Sequence, residues 1–470
     1  MKKYLKTSAL LALCLMLLVA LVACGGGDTE TDTPPDTTEV TDAPDTTTPA
    51  PPPADGDEPV TITYMFWGDE LEIENVTNTL NRFHEEHPHI IVEPWPVDRD
   101  EITALLTTLA AAGELPDTGF MTEEMAINWA RAGFIQAPNI IGEQPRDLIS
   151  FRWEDEVVAY SSCVVQLALY YDRDKFDAAG VPYAPKTAAD AWDWDEFVDV
   201  AKTLTLDANG NNAHSPDFDR NNIEQFGVYL EPAVFQLETW TLSNGGGFFD
   251  PNDWRNMLID TPESAEAIQR IADLYLEHGV MPRWGSLGGD NVDALFLEYN
   301  VAMVINGTWS IGVWLEGAMN NHGLNYSVGV LPSMGRPVTI ATAGLAVQYE
   351  GSDHPEAAAE FLAWFAATEN NWALIEGGIW LPRYESWYRD EALQRQWADN
   401  DNHPPFEDFQ SAIIEYSLNN AVSAAWHWVP GFDAFLPELA TVLAPVWAGD
   451  QTAQEALEAA RPTFLAAIGA

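Results

Sequence analysis

The sequence is short of cysteine, of positive charge and of long apolar runs, and each shortage closes off a class of protein. Only three cysteines occur. Cys14 and Cys24 lie in or at the end of an N-terminal apolar stretch, so the body of the chain holds a single thiol, Cys163, with nothing to cross-link to. If such a chain is exported, its core must be stable without disulfides. Lys and Arg number 21 against 73 Asp and Glu, a formal net charge of -52. That imbalance repels phosphate backbones and anionic membrane faces, which excludes nucleic acid as a partner. The one nearly unbroken apolar run, Ala9 to Val22, falls well short of the ~20 residues that a membrane-crossing helix needs. No G-x-S-x-G elbow is present and no Gly-rich loop leads into a helix, so serine hydrolysis and nucleotide binding have no motif here.

What is present begins with Lys2, Lys3 and Lys6 ahead of that apolar run, which ends in small residues. This is the layout of a secretory signal over residues 1–23. Leu21-Val22-Ala23-Cys24 resembles the lipobox of bacterial lipoproteins, and the resemblance implies that Cys24 is acylated and becomes the first residue of the mature chain. Two or more acyl chains, at ~0.8 kcal/mol per buried methylene, anchor a domain durably. Residues 24–58 then form an acidic Pro/Thr-rich tether, without Lys or Arg and with too few apolar groups to fold. Its prolines and like charges favour an extended chain reaching at most ~100 Å, at about 3 Å per residue.

The remainder has room for two lobes, since 470 residues far exceed the roughly 150 of a typical domain. "VTITYMFWGDE" (Val60 to Glu70) reads as a strand stopped by Gly68. A helix follows with Leu71, Ile73, Val76, Leu80 and Phe83 on one side, then the strand "HIIVEPW" and the helix "DEITALLTTLAAAGELPD". This β-α-β-α alternation predicts a parallel sheet with helices on its faces. The pattern recurs with strands at "VVQLALYYD" and "YSVGVLP", and helices at "DEFVDVAKTLT", "SAEAIQRIADLYLEHG" and "PEAAAEFLAWFAAT". The last hundred or so residues read mainly as helices.

Eight segments in order, among them "FHEEHPHIIVE", "LAAAGELPDTGFM", "LYYDRDKFDAAGV", "NGGGFFD", "FLEYNVAMVINGTWS" and "SDHPEAAAEFLAWF", resemble the extracellular solute-binding proteins of ABC importers. The resemblance is to the sugar-binding group that includes the maltose-binding protein, and it covers about residues 59–470. It implies an α/β, two-lobed periplasmic-binding-protein-like fold (type II), each lobe a β-sheet flanked by helices, with a hinge crossed more than once and a ligand closed between the lobes. By that analogy the first lobe takes residues 59–166 and 325–368, and the second takes 167–324 and 369–470.

A sugar offers apolar C–H faces and a rim of hydroxyls, so its site calls for flat aromatic surfaces and a few polar groups. The chain supplies 19 Trp. Trp309, in "MVINGTWS", follows a strand where the resemblance places a stacking aromatic of the second lobe. Trp67 ends the first strand beside Gly68, Asp69 and Glu70, at a strand carboxyl end suited to a ligand. Met121, Thr122, Glu123 and Glu124 occupy the loop that the resemblance assigns to first-lobe polar contacts, with Met121 where the maltose binder has an aromatic. Glu231 matches a Glu-Pro step whose following aromatic is replaced by Ala233; Trp240 or Phe235 is the candidate substitute. Gln166, on the hinge-crossing strand, either offers its amide to a hydroxyl or is a solvated strand residue. Trp426, Trp428 and Phe432 lie near a segment that contributes a cleft aromatic in the family, and Trp284, Trp380 and Arg383 complete the candidates.

Two motifs fail. In "FHEEH", His84 and His87 lack the H-E-x-x-H spacing, and Pro88 follows at once, so it reads as a solvated helix end. "DANGNNAHSPDFD" (Asp207 to Asp219) has the oxygen-rich look of a calcium loop without its glycine at position six or glutamate at position twelve, and reads as a polar loop. No catalytic residue, metal or cofactor is expected. The expected protein is a monomeric, lipid-anchored receptor on the extracellular face, or in the periplasm of a cell with an outer membrane. It captures a sugar or oligosaccharide for the membrane subunits of an ABC importer. The alternatives are an anchored glycoside hydrolase with two carboxylates ~5 to 9 Å apart, or the same receptor carrying a peptide, glycerol phosphate ester or polyamine.

Overall fold

The computed structural model describes residues 59–68, 70–137, 142–287 and 291–470. The signal, Cys24, the tether and Asp69 therefore lie outside the described residues.

The centre of the first sheet is buried on both faces, as Thr118–Met121 and Tyr64 to Phe66 show, and burial alternates only at the start of the edge strand Ile90–Pro96. The strand order is Leu345–Gln348, Thr118–Met121, Val60–Phe66, Ile90–Pro96. The last three run parallel, as the β-α-β-α reading predicts, and Leu345–Gln348 closes the edge antiparallel. The helix Glu70–Glu86 follows the first strand, with Val76, Leu80 and Phe83 buried beneath it as its spacing requires. Asp98 caps the next helix, Arg99–Ala112, by accepting the Asp100 N–H, and Gly113 ends it in the left-handed region; such caps contribute ~1 kcal/mol each. Against this sheet Tyr64, Phe66, Phe120, Phe361 and Phe365 meet at centroid distances from 5.1 to 6.4 Å. Tyr64–Phe120, Tyr64–Phe361 and Phe66–Phe120 meet edge-to-face, a geometry that adds ~0.5 to 1.5 kcal/mol per pair beyond area burial.

The second sheet is mixed, not all parallel. Its order is Ala421–Ser423, Thr339–Thr342, Val165–Asp172, Val301–Gly307, Ile223–Leu230, Leu206–Asp207, and Tyr326–Gly329 also pairs with Val165–Asp172. Tyr326–Gly329 and Thr339–Thr342 thus belong to the second sheet, which corrects the boundary at 325 read from sequence. A strand's own residues show that it pairs, but not with which sheet. The chain rejoins the first sheet at Leu345, and the helical turns Thr368–Asn371 and Trp372–Glu376 still pack on Glu70–Glu86.

The connections between the sheets bond to one another. Ser161 pairs with Leu345, and Val164 with Leu381. Ser162 donates its N–H and its hydroxyl to the Gly344 carbonyl at 2.9 and 2.8 Å, and the Ala343 N–H donates to Ser161 Oγ at 3.2 Å. These short, mutually bonded connections form the hinge. Cys163 lies buried beside it, its thiol pushed up by burial and thus inert as a nucleophile. No helix among the described residues is long and apolar enough to cross a membrane.

Candidate functional site

Parallel pairing sends the chain out of neighbouring strands at the same edge, and the first sheet uses this to gather Trp67 and Thr122 to Glu124. The Trp67 indole is half-buried against Phe120, 4.9 Å between centroids, and rests on the hinge glycine Gly344, where a Cβ would stand 2.3 Å from the ring. Only glycine permits that approach. The Arg99 guanidinium lies over the Trp67 ring at 5.5 Å, with Nη2 3.9 Å from Glu123 Oε2. Glu123 is pushed up to about 7, mainly by burial and then by the charge of Glu124, with Arg99 opposing. Met121 is fully buried and Thr122 nearly so, its hydroxyl 3.3 Å from that of Thr103. Glu70 is exposed at the start of its helix. Trp380 is 5% exposed and donates its indole N–H to Glu72 at 3.2 Å.

In the second lobe the parallel strands Val301–Gly307 and Ile223–Leu230 bring their carboxyl ends together. Trp309 folds back over Gly307, whose Cβ position lies 1.9 Å from the indole, so glycine is required there too. Its ring meets Phe235 at 5.6 Å, both half-buried. Of the two candidates to replace the missing aromatic after Pro232, Phe235 is the one beside Trp309. Trp240 is fully buried against Trp194 at 5.3 Å and belongs to the core. The Thr308 N–H donates to the Gln166 carbonyl at 2.9 Å, which sets Trp309 next to the hinge strand. Gln166 is not solvated; its amide N–H donates to the Ile413 carbonyl at 3.1 Å and its Oε1 is buried without a partner among the described residues.

The C-terminal part of the chain also meets the connections between the sheets. Trp426 and His427 both reach the hinge residue Thr342, whose hydroxyl lies 3.1 Å from Trp426 Nε1 and 3.1 Å from His427 Nε2. Trp428 beside them is half-buried. The Glu123 turn packs on Ala425–His427 and on the start of the helix Phe432–Ala448. Asn128 ties the lobes there, accepting the Gly431 N–H at 3.1 Å and donating to Asp433 at 2.7 Å. Phe432, by contrast, sits in a core with Phe248, Phe249 and Phe435 and is fully buried. Trp284 donates to the Leu230 carbonyl at 2.7 Å and packs edge-on against Trp447 at 4.8 Å. Glu231 is exposed. Arg383, 7% exposed, lines a separate cavity of about 230 Å³ with Tyr160, Ser162 and Gln348. In the polar loop, the Asp207 carboxylate is taken up by the Asp219, Asn211 and Asn209 N–H groups at 2.8 to 2.9 Å, which hold its pKa well below the usual range and leave it little capacity for a cation.

Glu238 is the residue that sequence reasoning missed. It lies on the Phe235 helix, 3% exposed, and both its oxygens accept the Ala425 N–H, at 3.0 and 3.1 Å. It therefore positions the Trp426–Trp428 segment. Burial pushes it up to about 8 from 4.5. Between those values the folded state holds a proton that the unfolded state has lost, so the contribution of Glu238 to stability is full below about pH 4.5 and falls away as pH rises to about 8. Glu238→Gln keeps a carbonyl acceptor without the charge. Its unfolding free energy is expected to gain on the parent by on the order of a few kcal/mol between pH 5 and pH 8; denaturant titrations showing a gap that does not change with pH would contradict this.

Residues 78–401 match the family described as bacterial extracellular solute-binding protein. The Escherichia coli K12 protein YcjN, which carries the name of an ABC transporter periplasmic-binding protein, is 26% identical over 372 residues, 73% of this chain and 76% of that one. Among solved structures, the Listeria monocytogenes substrate-binding protein Lmo0181 in complex with cycloalternan superposes with a TM-score of 0.72 at 20% identity, covering 88% of this chain and 100% of that chain. The acarbose-binding GacH receptor of Streptomyces glaucescens gives 0.69 at 19%, covering 88% and 99%. The maltotriose-bound MalE domain of Bdellovibrio bacteriovorus gives 0.66 at 18%, covering 87% and 100%. The two sheets with flanking helices are the two-lobed fold of these proteins, and the chain belongs to the bacterial extracellular solute-binding proteins.

Proposed function

We propose that this protein captures a sugar or oligosaccharide between its lobes and delivers it to the membrane subunits of an ABC importer. The observation that carries the reading is the pair of half-buried aromatic surfaces flanking one hinge: Trp67 on Gly344 from the first lobe, and Trp309 with Phe235 beside the hinge strand from the second. Flat rings suit the C–H faces of a pyranose, and the neighbouring Glu123 carboxyl suits its hydroxyls. The ligands named for the three structural neighbours are cycloalternan, acarbose and maltotriose, which supports a carbohydrate cargo. Trp428, Glu124 and Thr122 complete the proposed lining, with Trp67, Glu123, Trp309 and Phe235 as its principal contacts.

A ligand that touches both lobes favours the closed state by its differential affinity. The Asn128 bonds to Gly431 and Asp433 then add to closure. The lobes run from residue 59 to the hinge at 161–164 with a return from 345, and through the strands of the second sheet with the C-terminal helices. The chain acts as a monomer held to the outer face of the membrane by lipid on Cys24, with residues 25–58 as the tether.

Thermal-shift screening of mono- and oligosaccharides, followed by incubation of the best hit in labelled form, tests this reading. A stabilising sugar at 100 times its dissociation constant raises stability by ~2.7 kcal/mol and is recovered unchanged. Turnover of the label would make the chain a glycoside hydrolase, and stabilisation by peptides or polyamines alone would change the cargo.

A further inference from the structure

One histidine of the failed "FHEEH" motif, His87, takes on a role with His89 just beyond it once the strand that follows is folded. His87 and His89 flank Pro88 in the turn between the helix Glu70–Glu86 and the strand Ile90–Pro96. Glu360, from the helix Pro355–Phe365, reaches over to them. Its Oε1 lies 2.7 Å from His87 Nδ1 and 3.2 Å from His89 Nε2, and the three ligand atoms lie within 4.8 Å of one another. Ligand atoms ~2.0 to 2.1 Å from a tetrahedral zinc lie about 3.3 Å apart. The cluster already stands close to that separation.

We infer that His87, His89 and Glu360 form a surface site for a divalent transition metal of the zinc class. The donors are held before any ion arrives. The His87 N–H donates to the Phe83 carbonyl at 2.7 Å, the His87 carbonyl accepts the Ile90 N–H at 3.0 Å, and the His89 carbonyl accepts the Val60 N–H at 2.9 Å. The His87 ring stacks on Phe83 at 4.5 Å and 13°. That same buried ring braces the partner helix through Phe361 and Trp364, at 5.1 and 5.2 Å. One aromatic thus fixes both elements that supply ligands, which lowers the ordering cost of coordination.

Two imidazoles and one carboxylate select zinc, copper or nickel over calcium or magnesium, which take mostly oxygen. His84 is not a ligand, because its Nε2 accepts the Val92 N–H at 2.8 Å. The side chains of His89 and Glu360 are 45% and 42% exposed, which leaves the fourth position open to water or an external donor. The cluster lies at the amino end of the first strand, ~20 Å along it from Trp67. Metal binding is therefore separable from ligand capture.

The test is calorimetry with Zn²⁺ on the full chain, together with Cu²⁺ electron paramagnetic resonance, for the parent, His89→Ala and Glu360→Gln. Both substitutions fall on exposed side chains and spare the Phe83 stack. The expected result is one Zn²⁺ per chain with an affinity that drops at least roughly tenfold in each variant, and a copper spectrum split by two nitrogens that loses one in His89→Ala. An oxygen-only copper spectrum, or zinc affinity equal in all three proteins, overturns the site and assigns any binding to the acidic surface at large. Sugar-induced thermal shifts on the same samples are expected to be equal in the three proteins, so failure of the metal site and failure of the sugar reading remain distinguishable.

Discussion

Replacing Trp309 by alanine is expected to weaken sugar binding by about 2 to 4 kcal/mol, roughly 30- to 1,000-fold, while the chain stays folded. The indole is half-buried and packs on Gly307 and Phe235. Removing it takes away a stacking surface without opening the interior of the second sheet. Trp309→Phe, which keeps a flat ring, should recover part of the loss. Calorimetry with the best sugar from the screen, set beside a melting curve, checks both. An affinity unchanged by Trp309→Ala would remove that ring from the site.

The second large effect is on stability. Trp240→Ala is expected to cost ~3 to 5 kcal/mol, the range for emptying a buried aromatic position, because Trp240 is fully buried edge-on to Trp194. Urea unfolding measures it. The folded variant should keep a sugar affinity far closer to the parent's than Trp309→Ala does. A mild stability loss with a severe binding loss would move Trp240 from the core into the cleft.

These two tryptophans show what the sequence could tell. The place of Trp309 just after a strand was readable from its own segment, and that strand, Val301–Gly307, is present; its assignment as a stacking ring came from the family resemblance. Phe235 and Trp240 were open alternatives because both lie on one helix, Val234–Ser243. Five residues at 100° each put them about 140° apart on its circumference, so packing had to decide which faces the strand ends. The same limit explains Phe432, which opens an apolar helix and is drawn into the cluster around Phe435.

Strand pairing set a different limit. The β-α-β-α start predicted the parallel part of the first sheet, because parallel strands need crossovers and the crossovers are visible as helices. Tyr326–Gly329 reads as a strand from its own residues and Thr339–Thr342 was not singled out, and the pairing of both with Val165–Asp172 rests on contacts far along the chain. Glu238 was invisible for the same reason, since its partner Ala425 is 187 positions away. So was Glu360, 273 positions from His87. A histidine pair two positions apart is a weak signal until a third ligand is folded against it.

The most direct measurement is a crystal structure of the chain with the best-binding oligosaccharide. The account predicts sugar rings lying face-on against Trp67 and Trp309, with a hydroxyl within hydrogen-bonding reach of Glu123. A ligand bound elsewhere, or contacting the residues of one lobe alone, would contradict it.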